Sequence, residues 1–401
     1  MKVGFLAALA TGCSFNIASG VPDGGIDTNA VDTDDIPDVD GDGVLATQDC
    51  DDLDPTRWVW GPNGGNAEFG DADSVISYCA SFVGSPDGCG QGRLDTLSIT
   101  GSGFETLQGL ECIHEAGTVT IADTDLVGVY GLENLRVIGP ADAPGGPGSV
   151  AVGLSLSNNA QLLNLDGLMG LEEVAVIHLY NNDALPNIDG LWSVRRLTGL
   201  WVDGNAVLQN LDGLGNSSGI TPGSGGSLLV NENDALQHID GLSGWTTAGT
   251  SIVIAGNDAL EHINGLSQVN TGVSTITIDQ NAALTDINGL ANLPDETDYL
   301  SIRNNASLEN IDALQNQTHW ISGAIVNNDA LTNLDGLTNL RVIERDLDIE
   351  GCDSLTSVGG LLGLEEVGLQ VTLADNANVA PSDMSALLEA FNEAGIACDC
   401  N

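Results

Sequence analysis

Hydrophobic and polar positions repeat in one figure along most of the chain. In "SLLVNENDALQHIDGL" from Ser227, "SIVIAGNDALEHINGL" from Ser251 and "TITIDQNAALTDINGL" from Thr275, two apolar residues alternate with polar ones, an Asn follows, and an L-x-x-I-x-G-L run closes the figure. The period-2 pairs, such as Leu154 with Leu156, Ile252 with Ile254 and Ile276 with Ile278, predict short strands with those residues facing inward. The Leu-type position returns at Phe104, Leu126, Leu162, Leu185, Leu208, Leu236, Leu260, Leu284, Leu308, Leu331, Leu355 and Val379. A period of about 24 residues marks a solenoid. One coil cannot bury its apolar side alone, and the next coil supplies the missing surface. Stacked strands then make a parallel sheet with about 4.8 Å between neighbours.

The polar positions of the figure have their own logic. The Asn column, Asn159, Asn182, Asn205, Asn233, Asn257, Asn281, Asn305, Asn328 and Asn376, is expected to point into the turn and satisfy backbone groups of its own and the next coil. Cys352 takes that place in one coil. In the Ile-Asp-Gly-Leu turn, Asp or Asn should bond its own backbone and Gly should take the tight geometry. Two steps are lengthened by "GPADAPGGPGS" from Gly139 and "GNSSGITPGSGG" from Gly215, expected to be loops hung on a regular coil. "PSDMSALLEAFNEAG" from Pro381 predicts an amphipathic helix with Ser382 as N-cap and Gly395 as stop. That helix would close the last coil within residues 381–401, and residues 57–93, with Trp58, Trp60, Tyr78 and Phe82, would close the first.

The spacing N-x-x-L, with L-x-x-I-x-G-L-x-x-L after it, resembles the receptor L-domain, the leucine-rich right-handed solenoid of growth-factor receptor ectodomains and related microbial surface proteins. The likeness covers residues 94–380 and departs from the receptor type in running through about twelve coils without a Cys-rich module between them. The expected fold is therefore mainly β: a right-handed parallel β-solenoid of leucine-rich coils of about 24 residues, with a C-terminal capping helix. The implied role is recognition or adhesion at a cell surface.

Composition narrows the partners. Acidic residues number 57 against 9 basic ones, for a formal charge of -48. No basic stripe exists to neutralise phosphates, so nucleic acid is excluded as a partner; such a field favours cations and cationic surfaces. High-salt habitat is an alternative source of the acidity.

The start, "MKVGFLAALATGCS", has one Lys and a short apolar run, too short for a stable membrane span. Its "LATGC" ending resembles a bacterial lipoprotein signal covering residues 1–13, in which Cys13 becomes the lipidated first residue. Ser14 then implies the outer membrane or cell surface, and without lipidation the chain would be secreted. Residues 14–37, rich in Gly, Pro, Ser and Asp, read as a disordered acidic tether.

Within residues 38–56, Asp38, Asp40 and Asp42 alternate, Gly43 follows, and Asp49 completes the spacing of a calcium loop. Alternate carboxylates converge on one ion while Gly makes the sharp turn. The motif resembles the acidic repeats of bacterial surface proteins of the MopE-like metal-binding type, or of thrombospondin type 3, with Asp51, Asp52 and Asp54 as further ligands. A solvated acidic linker is the alternative. Eight cysteines fit an oxidising compartment. With Cys13 lipidated and Cys352 buried, Cys50, Cys79, Cys89, Cys112, Cys398 and Cys400 form an even set compatible with terminal staples, of undeduced pairing.

Three columns are candidates for chemistry. The turn acids Asp166, Asp189, Asp212, Asp240, Asp312 and Asp335 would stack as a cation file or simply cap backbone. His238, His262 and Asp286 share one position in successive coils, a metal site or an exposed polar ladder. The third column faces outward on the strands, where His178, Trp201, Leu229 and Val253 follow one another with Tyr180 beside Trp201. It is the candidate binding surface for an extracellular protein or glycan. A structural spacer and a β-solenoid polysaccharide-active enzyme are the rival readings; the mature chain has no lysine and no visible nucleophile–histidine pairing, so the expected class is a binder, not an enzyme.

The N-terminal segment is directly testable. Cys13→Ser should move the protein from the membrane to the soluble fraction. Calorimetry on residues 38–55 should show saturable calcium binding, lost in Asp40→Ala with Asp42→Ala; no heat at millimolar calcium would return the stretch to plain linker.

Overall fold

The computed structural model describes residues 66–70, 75, 93–139, 153–221 and 225–400, all within the unit Thr56–Asn401. Cys13, Asp38, Asp40, Asp42, Asp49, Asp51, Asp52 and Asp54 lie outside the described residues. Strands follow the repeat from end to end: β1 (Asn66–Phe69), β2 (Arg93–Thr100), β3 (Glu115–Ala122), β4 (Val137–Ile138), β5 (Leu154–Ser157), β6 (Glu173–Tyr180), β7 (Arg196–Asp203), β8 (Ser227–Asn231) and β9 (Ser251–Ala255). They continue as β10 (Thr275–Asp279), β11 (Glu296–Arg303), β12 (His319–Val326), β13 (Val342–Ile343), β14 (Asp346–Glu350), β15 (Glu366–Val367), β16 (Gln370–Ala374) and β17 (Cys398–Cys400).

All seventeen join one sheet in parallel register. Three coils break their strand in two: β3 pairs with both β4 and β5, β12 with both β13 and β14, and β15 and β16 continue that split. The chain is thus a solenoid-like stack of leucine-rich coils, 23 or 24 residues apart along the ladder except where the chain makes an excursion.

The inward columns are dry. Leu154, Leu156, Ile252, Ile254 and Ile278 are fully buried, as are the Leu-type positions from Leu126 to Leu355, and only Val379 at the end is partly exposed. Full burial of each such side chain contributes roughly 1.5–3 kcal/mol, and because every coil covers its neighbour the core runs the length of the stack.

The Asn column is the polar spine of that core. Asn182 Nδ2 donates to the Leu156 carbonyl at 2.9 Å and to Asn205 Oδ1 at 3.2 Å, while Asn205 Oδ1 also accepts from the Asn182 backbone N–H at 3.0 Å. The pattern repeats through Asn233, Asn257, Asn281, Asn305 and Asn328, head to tail. Thr124 starts the spine by donating its N–H and hydroxyl to Asn159 Oδ1. Cys352 interrupts it: its N–H reaches Asn376 Oδ1, but its thiol sits 3.7 and 3.8 Å from the Glu350 and Ile325 carbonyls and offers Asn328 no amide oxygen. Burial pushes this thiol up to about 11, with a backbone bond from Asn328 opposing, so it is held as an inert free thiol.

A second ladder escapes the sequence figure. The residue before each spine position has positive φ: Asp123, Asn158, Asn181, Glu232, Gln280, Asn304, Asn327 and Asp375, with Gly204, Gly256 and Gly351 between. Asn and Asp tolerate this region best, and several link side to side, Asn158 to Asp123 at 3.1 Å and Asn327 to Asn304 at 3.0 Å. Only Glu232 and Gln280 hold it with long side chains.

The D-G-L and N-G-L turns are tight 3-10 turns in which Gly is not at positive φ; a Cβ on Gly190 or Gly265 would collide with the Leu165 or Ile239 carbonyl of the preceding coil, so the requirement for Gly is close approach. Two expectations need correcting. The helix α1 (Pro381–Ala394) is capped by Ala380 rather than Ser382, because Pro381 has the fixed φ and missing N–H that suit the first helical position; Gly395 does end it, at φ 73°. The stretch from Gly215 is not all loop. Ser217 and Ile220 are buried, Ser217 accepts from Trp245 Nε1 at 2.6 Å, and Thr221 donates to the Leu197 carbonyl at 2.8 Å, so the coil continues to Thr221.

Of the cysteines, Cys398 is joined to Cys400, and Cys112 is disulfide-bonded.

The spine predicts opposite effects at two positions. Asn257→Ala strands buried groups on both neighbouring coils and should cost about 3 kcal/mol or more. Cys352→Asn should restore the missing link and stabilise by about 1 kcal/mol. Denaturant midpoints check both; an unchanged midpoint for the first, or a lower one for the second, would contradict the ladder.

Candidate functional site

The outward rows of the sheet are set by strand alternation. In β6 and β7 the inward residues are Ile177, Leu179, Leu200 and Val202, all fully buried, which leaves His178, Tyr180, Trp201 and Asp203 facing out. Register puts His178, Trp201, Leu229 and Val253 in one row, as the sequence implies. Tyr180 does not stand beside Trp201, however. Its register partner is Asp203, followed by Asn231, because residues two apart on a strand belong to different rows. His178 is the ring that joins the group: its centroid lies 5.6 Å from Trp201 in an edge-to-face arrangement and 6.0 Å from Tyr180. Tyr180 is 39% exposed, and His178, Trp201 and Leu229 are half-buried, so the rings are reachable yet mutually supported.

The coils of both lengthened steps flank this place. Gly139 and Gly153, which bracket residues outside the described ones, lie between β3, to which they hydrogen-bond, and Ala175 of β6; Gly226 lies between the Thr198 carbonyl of β7 and Thr250. Ala175 and Val176 are buried at 3% and 6% exposure, and Val176 packs on Gly199. The two strands that carry the aromatic residues thus lie between the two coils that carry the excursions.

Electrostatically the patch is neutral to acidic. Burial lowers the His178 pKa from its ordinary 6.5, with Asp203 opposing, so His178 is uncharged at neutral pH. A depressed histidine pKa contributes stability above the unfolded value, and that contribution is lost as pH falls from about 6.5 through the folded pKa. Asn231 Oδ1 is withdrawn from solvent and accepts no hydrogen bond. Arg196 at the start of β7 is paired with Glu173. Asp203 and Asn231 share the column of Tyr180, two residues before Asn205, Asn233 and Asn182, and the repeat spacing alone carries that signal.

The turn columns behave differently. Asn164, Asn187, Asn210 and Asn333 accept from the N–H two residues on, at Asp166, Asp189, Asp212 and Asp335, and Asp286 does the same for Asn288. His238 and His262 replace that acceptor and are left without a partner on Nδ1, 3.6 to 3.9 Å from the Asp212 and Asp240 carboxylates. Their rings stack 6.2 Å apart at 15°. Near-parallel rings at that separation hold equivalent nitrogens too far apart for one ion with bonds of about 2 Å. Among the described residues no group of three or more His, Cys, Asp or Glu is arranged to hold a metal, in this column or in the turn acids.

Other exposed apolar residues lie on the turn side. Met169 and Trp192 follow the D-G-L turn in consecutive coils, with Trp192 55% exposed and its ring against Gly215.

The chain matches no family model and no curated protein. Among the described residues the architecture is a mainly β, parallel, solenoid-like repeat with a C-terminal helix. Among the described residues no helix is long and apolar enough to cross a membrane.

Proposed function

We propose that the protein is a cell-surface recognition or adhesion module of the receptor L-domain type, which presents the outer face of its sheet to an extracellular protein or glycan. The observation that carries this reading is the cluster of His178, Tyr180 and Trp201 on two strands flanked by the coils that carry both excursions. Large rings on an outward row are a poor choice for a mere spacer, which needs only a soluble face. They are the side chains that dominate recognition surfaces, because each offers a wide, stiff contact at small entropic cost. A lipid on Cys13 would hold the module at the bacterial outer membrane or cell surface. Calcium at Asp38, Asp40, Asp42 and Asp49, with Asp51, Asp52 and Asp54 beside them, would stiffen the stalk between anchor and solenoid. The reading is of a binder rather than an enzyme.

The face can be tested without disturbing the coils. Tyr180→Ser with Trp201→Ser should abolish ligand capture on protein and glycan arrays while leaving the thermal midpoint within a few degrees of the parent. A large fall in midpoint with capture retained would make the rings structural and overturn the proposal.

A further inference from the structure

The polar groups around the rings all point to one kind of ligand. In the Tyr180 row stand Asp203, a carboxylate, and Asn231, an amide whose oxygen is turned away from solvent. Neither offers a positive charge, and Trp201 and Tyr180 add the electron-rich faces of two rings. Of the two guanidiniums at the start of β7, Arg196 is committed to Glu173, and Arg195 precedes the strand at the opposite end from Asp203. The next arginine along the row, Arg303, is three strands beyond Asn231, about 14 Å at the strand spacing, and it donates to Ser301 at 3.0 Å. Around this acceptor set lies a chain of formal charge -48, whose field concentrates cations and repels anions.

Each class of occupant can be weighed on these facts. An acidic glycan would meet a carboxylate and an opposing field. An apolar peptide would cover Asp203 and leave its carboxylate without donors, which is costly beneath an interface. A neutral sugar could stack on Trp201 but would draw nothing from the field. A guanidinium answers all three features, because it stacks flat on an aromatic face, presents a fork of donors to a carboxylate, and is drawn by negative potential. We infer that the ligand of this face is a basic segment of a partner polypeptide that lays an arginine on Trp201 against Asp203. The inference rests on the recognition role proposed above and names its partner class. His178 belongs to the same arrangement: kept neutral, it does not oppose the incoming charge, and protonation would turn it into a competitor.

The test uses the full chain and a short arginine-bearing peptide, its citrulline counterpart of equal shape and no charge, and a neutral hexasaccharide. Titration should show the arginine peptide alone binding, with affinity falling at least about tenfold from low to high salt and weakening as pH falls below the ordinary 6.5 of His178 and its imidazole protonates. Asp203→Asn should reduce affinity about tenfold or more. Asp348→Asn with Glu350→Gln, on the same face but several strands away, should leave it unchanged. Equal losses in the two variants would reduce the effect to overall charge and overturn the inference. Equal binding of the citrulline peptide or the hexasaccharide, lost in Trp201→Ser, would also overturn it while leaving the recognition surface standing. No binding by any probe at millimolar concentration would overturn it outright.

Discussion

The structure depends on a buried amide that no single coil can satisfy. Each spine Asn sits at the centre of a tight turn with its donors and acceptor cut off from water, and an unpaired group there costs about 1–3 kcal/mol. The partners are supplied across the stack: a carbonyl of the preceding strand, the N–H of the preceding Asn, and the oxygen of the next Asn. Repetition is therefore a polar requirement as much as an apolar one. The leucine column needs a neighbour of suitable shape, whereas the asparagine column needs one at a fixed spacing and register. That demand explains why the glycines of the D-G-L turns leave room for the previous coil's carbonyl, and why Ala313, which replaces one of them, sits in a longer turn, Asp312–Asn316.

Much of this was legible from the residues. Period-2 alternation, the Leu-type column and the Asn column each reflect a side chain doing one thing in every coil, and a repeat makes such assignments self-checking. What was not legible depends on contacts between coils. The positive-φ ladder escapes the sequence because its members, from Asp123 to Asp375, share a backbone conformation rather than a residue type. Ser217 and Ile220 read as loop because their Gly- and Ser-rich surroundings hide that they stack on the coils before and after. Ser382 looked like a cap until the proline before it took the first helical position.

The same limit applies to the candidate site. Sequence alone selects His178, Trp201 and Leu229 as a row, since a column of equivalent positions is what a repeat exposes to view. The same spacing puts Tyr180, Asp203 and Asn231 in one column, two residues before their spine Asn, so setting Tyr180 beside Trp201 mixes two columns. The rigid sheet matters to the proposed role: rows spaced by strand pairing carry little conformational freedom, so ring faces and acceptors are held in place before any partner arrives. The aromatic departures from the repeat fall on β6 and β7, and the two excursions leave the coils on either side of them.

The central claim is that the amide spine couples coils into one unit rather than merely filling each turn. Hydrogen exchange measured strand by strand in the parent and in Asn257→Ala tests it most directly. The account predicts that protection falls together in Ser227–Asn231, Ser251–Ala255 and Thr275–Asp279, the altered coil and both neighbours. A loss of protection confined to Ser251–Ala255 would contradict it.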